Sequence, residues 1–340
     1  VIGRTNVTIE DVAREAGVSR AAVSKVIRNA YGVSDAMRER VQAAIDTLGY
    51  RPSVAARAMR GSSHTIGIEL PTTDNPFFHK LLNAMNSALA DTDYQTIISP
   101  IVRDELGLLA LQRLVDRHVD GIVAVAPQVP LAALERLGAE VPLVLVGRHV
   151  DAVHFDTVVD DDLAGGCLVV EHLAGLGHRD IVHLTINYQA QAAHPTSPHS
   201  VRAEGYLAGM IAAGLADHSR IVHTDETVEG VRRATLALLD EPAPPTAIFA
   251  GHDQVALGVL WARAERGLGP DDLSVVGYDD TDIASHPLMS LTSVDQSAEV
   301  MGDRIAALLL ERIAGRTTPA RAVVDPELRC RASSAAPKPR

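Results

Sequence analysis

Cysteine is almost missing from this chain of 340 residues: only Cys167 and Cys330 occur. Far apart in sequence, they can build neither a disulfide framework nor a cysteine zinc cluster, and they suit a reducing compartment. Two packed thiols are the plain expectation. Aromatic residues make up 3% of the chain, so a large stacking pocket cannot be assumed. No run of about 18 apolar residues exists, and no transmembrane helix is expected. The first residues lack the basic, apolar and small-residue succession of a secretory signal, from which a cytoplasmic protein is expected. Catalytic signatures are missing too: there is no Gly-x-Ser-x-Gly elbow, Walker loop or His-Glu-x-x-His motif. Fourteen histidines invite a metal reading. Their spacings (His149/His154, His178/His183, His194/His199) bring no cysteine or acidic partner at ligand intervals, so no metal and no cofactor are expected.

What is present is an ordinary globular composition, 46% hydrophobic and 22% charged, long enough for two or three domains. Charge is unevenly spread. Residues 1–62 hold ten Lys/Arg and six acids, a balance of +4 in a chain of net charge -12, which leaves the remainder at -16. A basic head on an acidic body is the asymmetry of a nucleic-acid-binding module joined to a different function.

The head reads as three short helices. Thr8 precedes the apolar-periodic Ile9, Val12, Ala13 and Ala16, with Asp11 completing a variant capping box. Gly17 supplies the positive φ of a tight turn, and Ser19 can cap a second helix whose Ala22, Val23, Val26 and Ile27 face inward. A third helix starts after Ser34 and stops at Gly49. The first two helices, joined through Gly17, make a helix-turn-helix. On the second, Arg20, Ala21, Ser24, Lys25 and Arg28 are left facing outward, either as solvated positions or as groups that read bases. Pro52 then opens a short Ala-rich helix through Met59, too short to hold alone, and Gly61-Ser62-Ser63 is a flexible joint.

The stretches "VTIEDVAREAGVSRAAVSKVI", "VSDAMRERVQAAIDTLGYRPS", "AARAMR", "DNPFF", "EHLAGLGHRDI", "FAGHDQVALG", "LSVVGYDDTDIASHP" and "LTSVDQSAEVMG" run in order along nearly the whole chain. Together they resemble the lactose/galactose repressor family of transcriptional regulators. The resemblance implies that Arg20, Ala21 and Lys25 read bases in the major groove. It also implies that hinge helices of two subunits enter the minor groove, where Met59 stands in place of a wedging leucine. Thr8, Ser19, Ser24, Ser34, Tyr50, Ala56 and Arg57 complete the candidate DNA contacts, with Arg28 and Ser53 at positions where many members carry asparagine.

From residue 64 onward, strand-like runs ("TIGIEL", "TIIS", "GIVAVA", "LVLVG", "DIVHL", "TAIFA", "SVVGY") alternate with helical runs at 77–90, 105–117, 162–176, 200–214, 227–239, 254–267 and 297–315. That alternation predicts parallel sheets with crossover helices and ligands at the strands' carboxyl ends. The expected architecture is α/β. The resemblance implies that an N-terminal three-helix helix-turn-helix head (1–50) and a hinge helix with linker (51–63) precede a periplasmic-binding-protein-like body (64–332). The body would hold two doubly wound parallel-sheet subdomains, one about 64–160 and 291–320, the other about 161–290 and 321–332, ahead of a disordered tail (333–340). The three crossings between them are placed near 160, 290 and 320.

Strand ends and helix starts offer Phe77, Phe78, Arg202, Asp253 and Asp279 as candidate effector residues, with Arg148 also facing the expected cleft, and the resemblance adds His252 and, by an ambiguous local spacing, Asp160 or Asp161. Carboxylate acceptors and guanidinium donors suit ligand hydroxyls, and a ring suits an apolar sugar face. Asp253 and Asp279 could equally cap helices. The resemblance implies a sugar or polyol effector, a nucleoside or small anion being the rival. It further implies a repressor acting as a homodimer on pseudo-palindromic double-stranded operator DNA. A periplasmic-type binding protein and a sugar-processing enzyme are the alternative readings. The sequence leaves open whether an effector induces or co-represses, and whether two or four subunits assemble.

Overall fold

The computed structural model describes residues 7–27, 30–50, 62–72, 75–101, 107–185, 188, 193–225 and 227–339, in two compact units, Val1–Ser63 and His64–Arg340.

In the first unit, α1 (Ile9–Glu15), α2 (Arg20–Ile27) and α3 (Asp35–Leu48) close around Val12, Ala13, Val23, Val26, Val41 and Ala44. Thr8 and Asp11 form the reciprocal capping box, and Ser34 caps α3 through the amide of Met37. Gly17 takes φ +64°, a left-handed turn that a Cβ would strain, and so sets α2 against α1. Arg28 and the hinge candidates Ser53, Ala56, Arg57 and Met59 lie outside the described residues.

The second unit holds two six-stranded sheets. The first contains β1 (Thr65–Leu70), β2 (Gln95–Pro100), β3 (Gly121–Val125), β4 (Leu143–Val146), β5 (Asp156–Asp160) and β11 (Arg321–Val324), in the order β11-β5-β4-β3-β1-β2 with every pairing parallel. The second contains β6 (Ile181–Thr185), β7 (Arg220–His223), β8 (Ala247–Ala250), β9 (Ser274–Tyr278), β10 (Thr292–Asp295) and β12 (Glu327–Arg329). Its order is β12-β10-β9-β8-β6-β7, parallel except for the β10–β12 edge pair. Both are doubly wound sheets whose order reverses beside the first strand, at β1/β3 and at β6/β8; a crevice opens at such a point. The helices are α4 (Pro76–Ala88), α5 (Leu108–Asp116), α6 (Leu131–Glu140), α7 (Asp162–Gly175), α8 (Pro198–Ala212), α9 (Val228–Leu239), α10 (Asp253–Glu265), α11 (Asp282–Ser285) and α12 (Ala298–Ile313). The helices α4, α5, α7, α8, α9, α10 and α12 fall within three residues of the helical runs read from apolar spacing, whereas α6 has no counterpart among those runs.

Three sequence expectations need correction. The strand 292–295, expected in the first subdomain, is β10 of the second sheet, and the chain crosses back at Gln296-Ser297, where Ser297 takes φ +54°. Residues 321–324, expected in the second subdomain, form β11 of the first sheet, so the last crossing lies between Val324 and Glu327. Such short strands carry too few residues for a period to assign them. The tail expected to be disordered is instead hydrogen-bonded to the second sheet through residue 338. Ser333 is buried, its Oγ donating to Val275 O at 2.6 Å and accepting from the amide of Thr292 at 2.8 Å. Lys338 Nζ lies 2.6 Å from Asp272 Oδ1. One strand the pattern missed is β5, because acids sit at both its ends; Arg316 forks onto both oxygens of buried Asp156 at 3.1 and 2.5 Å.

Candidate functional site

Two surfaces carry the candidate residues. On the head, Arg20, Ala21 and Lys25 are exposed on α2, and Ser24 is half-buried. Ser19 Oγ accepts from the amide of Ala22 at 3.1 Å, which seats the start of α2. Arg20 Nη1 lies 3.4 Å from Glu10 Oε1 in a wholly surface pair, weak enough to yield to a nucleic-acid acceptor. Thr8 and Ser34 have hydroxyls already spent on helix caps. Tyr50, another candidate DNA contact, packs its ring into the head's core.

In the body, a cavity of about 250 Å³ opens at the carboxyl ends of strands from both sheets. Its walls come from the segments after β1 (Thr72, Asn75), β3 (Ala126, Gln128), β4 (Gly147, Arg148), β8 (His252) and β9 (Asp279), from α4 and α8, and from the crossing residue Gln296. Of the sequence candidates, Phe77, Phe78, Arg148, Arg202, His252 and Asp279 meet on this wall.

Arg202 is the floor. Only 4% exposed, it donates from Nε to Asp162 Oδ1 at 2.6 Å and from Nη1 to Gly251 O at 2.9 Å, and its guanidinium stacks 3.7 Å from the centroid of the Tyr278 ring. Burial works against its charge, but Asp162 and the neighbouring acids more than restore it, and its pKa stands above the ordinary arginine value. A buried cation costs several kcal/mol, of order, unless paired and hydrogen-bonded, and Asp162 meets that condition from behind the wall. Asp162 also receives His149 Nε2 at 2.7 Å. Asp160 sits deeper still, accepting from the Tyr278 hydroxyl at 2.8 Å; burial, then the charge of Asp162, pushes its pKa well up.

Asp279 gathers the two subdomains. Its Oδ2 accepts from Asn75 Nδ2 of the first at 3.2 Å, its Oδ1 accepts from Gln296 at the crossing, and Arg202 Nη1 stands 3.9 Å away. Burial raises its pKa to about 6 against the opposing pull of Arg202. The residue takes φ +101° and Asp280 follows at +43°, backbone conformations that cost a non-glycine residue energy and recur where a side chain must be aimed. Lys80 Nζ donates to Asp280 O at 2.9 Å across the same cleft.

His252 caps α10 and lies with His199 in an edge arrangement, ring centroids 5.7 Å apart. Burial, then Arg202, lowers the pKa of His252 to about 4 and that of His199 well below the usual range, so both imidazoles are neutral. Phe77 and Phe78 pack edge to face, 6.1 Å between centroids, at the start of α4.

The remaining candidates do not reach the wall. Asp253 is enclosed behind it, accepting from the amide and hydroxyl of Thr281, both at 2.7 Å, and from Ser293 Oγ at 2.6 Å. Asp160 is behind Arg202, and Asp161 caps α7 through the amide of Ala164 at 3.0 Å. Sequence reasoning missed Asn75, Gln296 and His199. The first two stood inside the quoted "DNPFF" and "LTSVDQS" stretches, and nothing in their local sequence marks them as neighbours of Asp279.

Residues 8–53 match the family described as bacterial regulatory proteins, lacI family, and residues 170–334 match the periplasmic binding protein-like domain. The chain is 32% identical over 312 residues to the ribose operon repressor of Escherichia coli (strain K12), covering 90% of this chain and 93% of that protein. It superposes with TM-score 0.84 on the lac repressor dimer bound to operator and the anti-inducer ONPF, at 27% identity, covering 98% and 100% of the two chains. A LacI family transcriptional regulator from Enterococcus faecium with bound ribose matches at TM-score 0.72 and 26% identity, covering 81% of this chain and 100% of that one.

Proposed function

Because the chain belongs to the lacI family of bacterial regulatory proteins, we propose that it is a transcriptional repressor that binds operator DNA as a homodimer. A sugar or polyol in the cleft of the body switches it. The observation that carries the ligand half of this reading is the polar cluster of Arg202, Asp279, Asn75 and Gln296, drawn from both subdomains onto one cavity wall. Amide and guanidinium donors beside a carboxylate acceptor match hydroxyls that both donate and accept. Phe77 and Phe78 offer the ring faces that a sugar's carbon skeleton covers. A cavity of about 250 Å³ is small beside drug-sized sites and suits a single sugar ring.

A ligand that touches both walls stabilises the closed arrangement of the two sheets. That changes the spacing of two DNA-binding heads in a dimer and so the affinity for a two-fold site. The ribose operon repressor and the ribose-bound regulator support a sugar effector, and the operator-bound lac repressor dimer supports the homodimer. Base reading belongs to Arg20, Ala21 and Lys25, with the hinge helix and Met59 in the minor groove. The relatives are repressors, so the cleft is a binding site rather than a catalytic one. Operator binding places the protein in the cytoplasm, and no helix among the described residues is long and apolar enough to cross a membrane.

The test is a thermal-shift screen of sugars and polyols followed by operator binding with each hit. A ligand held by the folded state alone raises the melting temperature. The reading stands if a hit alters operator affinity and loses its effect in Asp279→Ala; it fails if hits bind without changing DNA affinity.

A further inference from the structure

Resting on the cleft as the ligand site, we infer that the molecule it takes is an anionic polyol, a sugar bearing a carboxylate or phosphate, whose acidic group is held by Arg148. Two guanidinium groups, Arg148 and Arg202, line the cavity against one carboxylate, Asp279, with the imidazoles of His194, His199 and His252 beside them. Arg202 is neutralised from behind by Asp162. Arg148 is not. Half-buried, it turns Nη1 to the backbone oxygens of Pro127 and Val129, at 3.1 and 2.6 Å, and no carboxylate pairs with it among the described residues.

Carbonyl oxygens offer only partial charge, so a guanidinium drawn out of water without an acid lacks its compensation. Burial lowers the pKa of Arg148 accordingly. A carboxylate or phosphate on the ligand supplies the missing partner in the two-pronged geometry that a guanidinium favours. The facing segment carries two imidazoles, His194 and His199. The amide of His149 donates to Thr196 O at 2.9 Å, which holds residues 194–199 against this part of the wall. Burial, and then the charge of nearby Arg148, disfavours protonation of His194. His199 Nδ1 is buried with no hydrogen-bond partner among the described residues. A neutral sugar could satisfy the histidines with hydroxyls, but only an acid also neutralises Arg148. Elsewhere on the same wall Asp279, Asn75 and Gln296 retain the chemistry for hydroxyls, so acid and polyol belong to one molecule.

The experiment is isothermal titration of the full-length protein with three pairs: D-gluconate and D-glucose, D-galacturonate and D-galactose, D-ribose 5-phosphate and D-ribose. The expected result is an acid that binds at least tenfold tighter than its neutral parent, the preference being erased in Arg148→Met. The carboxylate and phosphate arms identify which acid the site accepts. A neutral parent that binds as tightly as its acid overturns the inference, as does silence from all six or a preference that survives in Arg148→Met. The wild-type comparison decides even where the variant fails to fold. A neutral sugar whose binding is lost in Asp279→Ala rejects the anion and leaves the cleft reading standing. An acid whose binding is untouched by both Asp279→Ala and Arg148→Met rejects the cleft reading itself.

Discussion

The two sheets of the body share one strand order and contribute different walls. From the first come Phe77, Phe78, Val125 and Val146, a largely carbon surface edged by Asn75 and Arg148; from the second come Arg202, His199, His252 and Asp279. The topology makes the same crevice twice, and the side chains divide the work. A charged floor must be fixed in advance, because each buried ion needs its partner whether or not a ligand is present. Asp162, Tyr278 and Gly251 O hold Arg202 in that way. An apolar lid needs no such support and gains by covering whatever the floor has bound. The difference teaches that the paired charges which meet ligand hydroxyls lie mainly on the second sheet, while the first adds the apolar cover and the unpaired guanidinium of Arg148, with Asp279 bonded to both subdomains.

Removing the floor should give the largest effect. Arg202→Met leaves Asp162 buried beside Asp279 without its cation, and breaking a buried pair from one side costs about 3–5 kcal/mol. Chemical denaturation should show that loss, and calorimetry should show no ligand binding. A variant as stable as wild type would mean that Arg202 is not the element that compensates these acids. Asp253→Ala sharpens the comparison from behind the wall. It strands the Thr281 and Ser293 donors and should cost about 1–3 kcal/mol of stability, while the folded protein keeps its ligand affinity within about twofold, an interval small beside 1.4 kcal/mol per decade. Weakened ligand binding at full stability would return Asp253 to the wall.

The smallest effect probes an acid of the first sheet that has no counterpart on the floor. Glu69, on β1, is fully buried, and burial lifts its pKa to about 8 against a partial offset from the amide of Val125. The unfolded value is 4.5, so between pH 9 and pH 7 the folded chain takes up a proton that the unfolded chain does not. Stability therefore rises as pH falls through this window. Asp253, raised to about 7 by burial and then by Asp279, extends the same trend. Below about pH 6.5 the trend is opposed. His183 and His252, lowered by burial to about 3 and about 4, remain neutral in the fold while the unfolded chain charges. Glu69→Gln should remove about 1 kcal/mol of the stability difference between pH 9 and pH 7. An unchanged pH profile would show that Glu69 does not titrate there.

Much of this was legible in the sequence where the cause is local. Thr8 with Asp11, Gly17 and Ser34 announce the head because caps and a positive-φ turn act within four residues. The alternation of apolar runs announces the sheets for the same reason. Arg202 and Asp279 could be singled out as charges at element ends. Their partners could not: Asn75 meets Asp279 across 204 positions and Tyr278 meets Asp160 across 118. Asp253 was indistinguishable from a ligand group until Thr281 and Ser293, 28 and 40 positions away, were seen to use its oxygens. Ser333 and Ser334 read as loose polar tail for a related reason. Hydroxyls favour solvent in composition alone, and only the fold supplies Val275 O, Thr292 and His172 as their partners.

The central claim is that a ligand held by Asp279 sets the affinity of the head for DNA. Fluorescence anisotropy of a labelled two-fold operator, titrated with a cleft ligand in wild type and in Asp279→Ala, tests it most directly. Deleting one buried charge-assisted hydrogen bond costs about 1.5–3 kcal/mol, so the ligand concentration for half-maximal effect should rise roughly ten- to hundredfold in the variant. A variant that responds at the wild-type concentration would contradict the account and leave Asp279 a bridge between subdomains with no part in ligand binding.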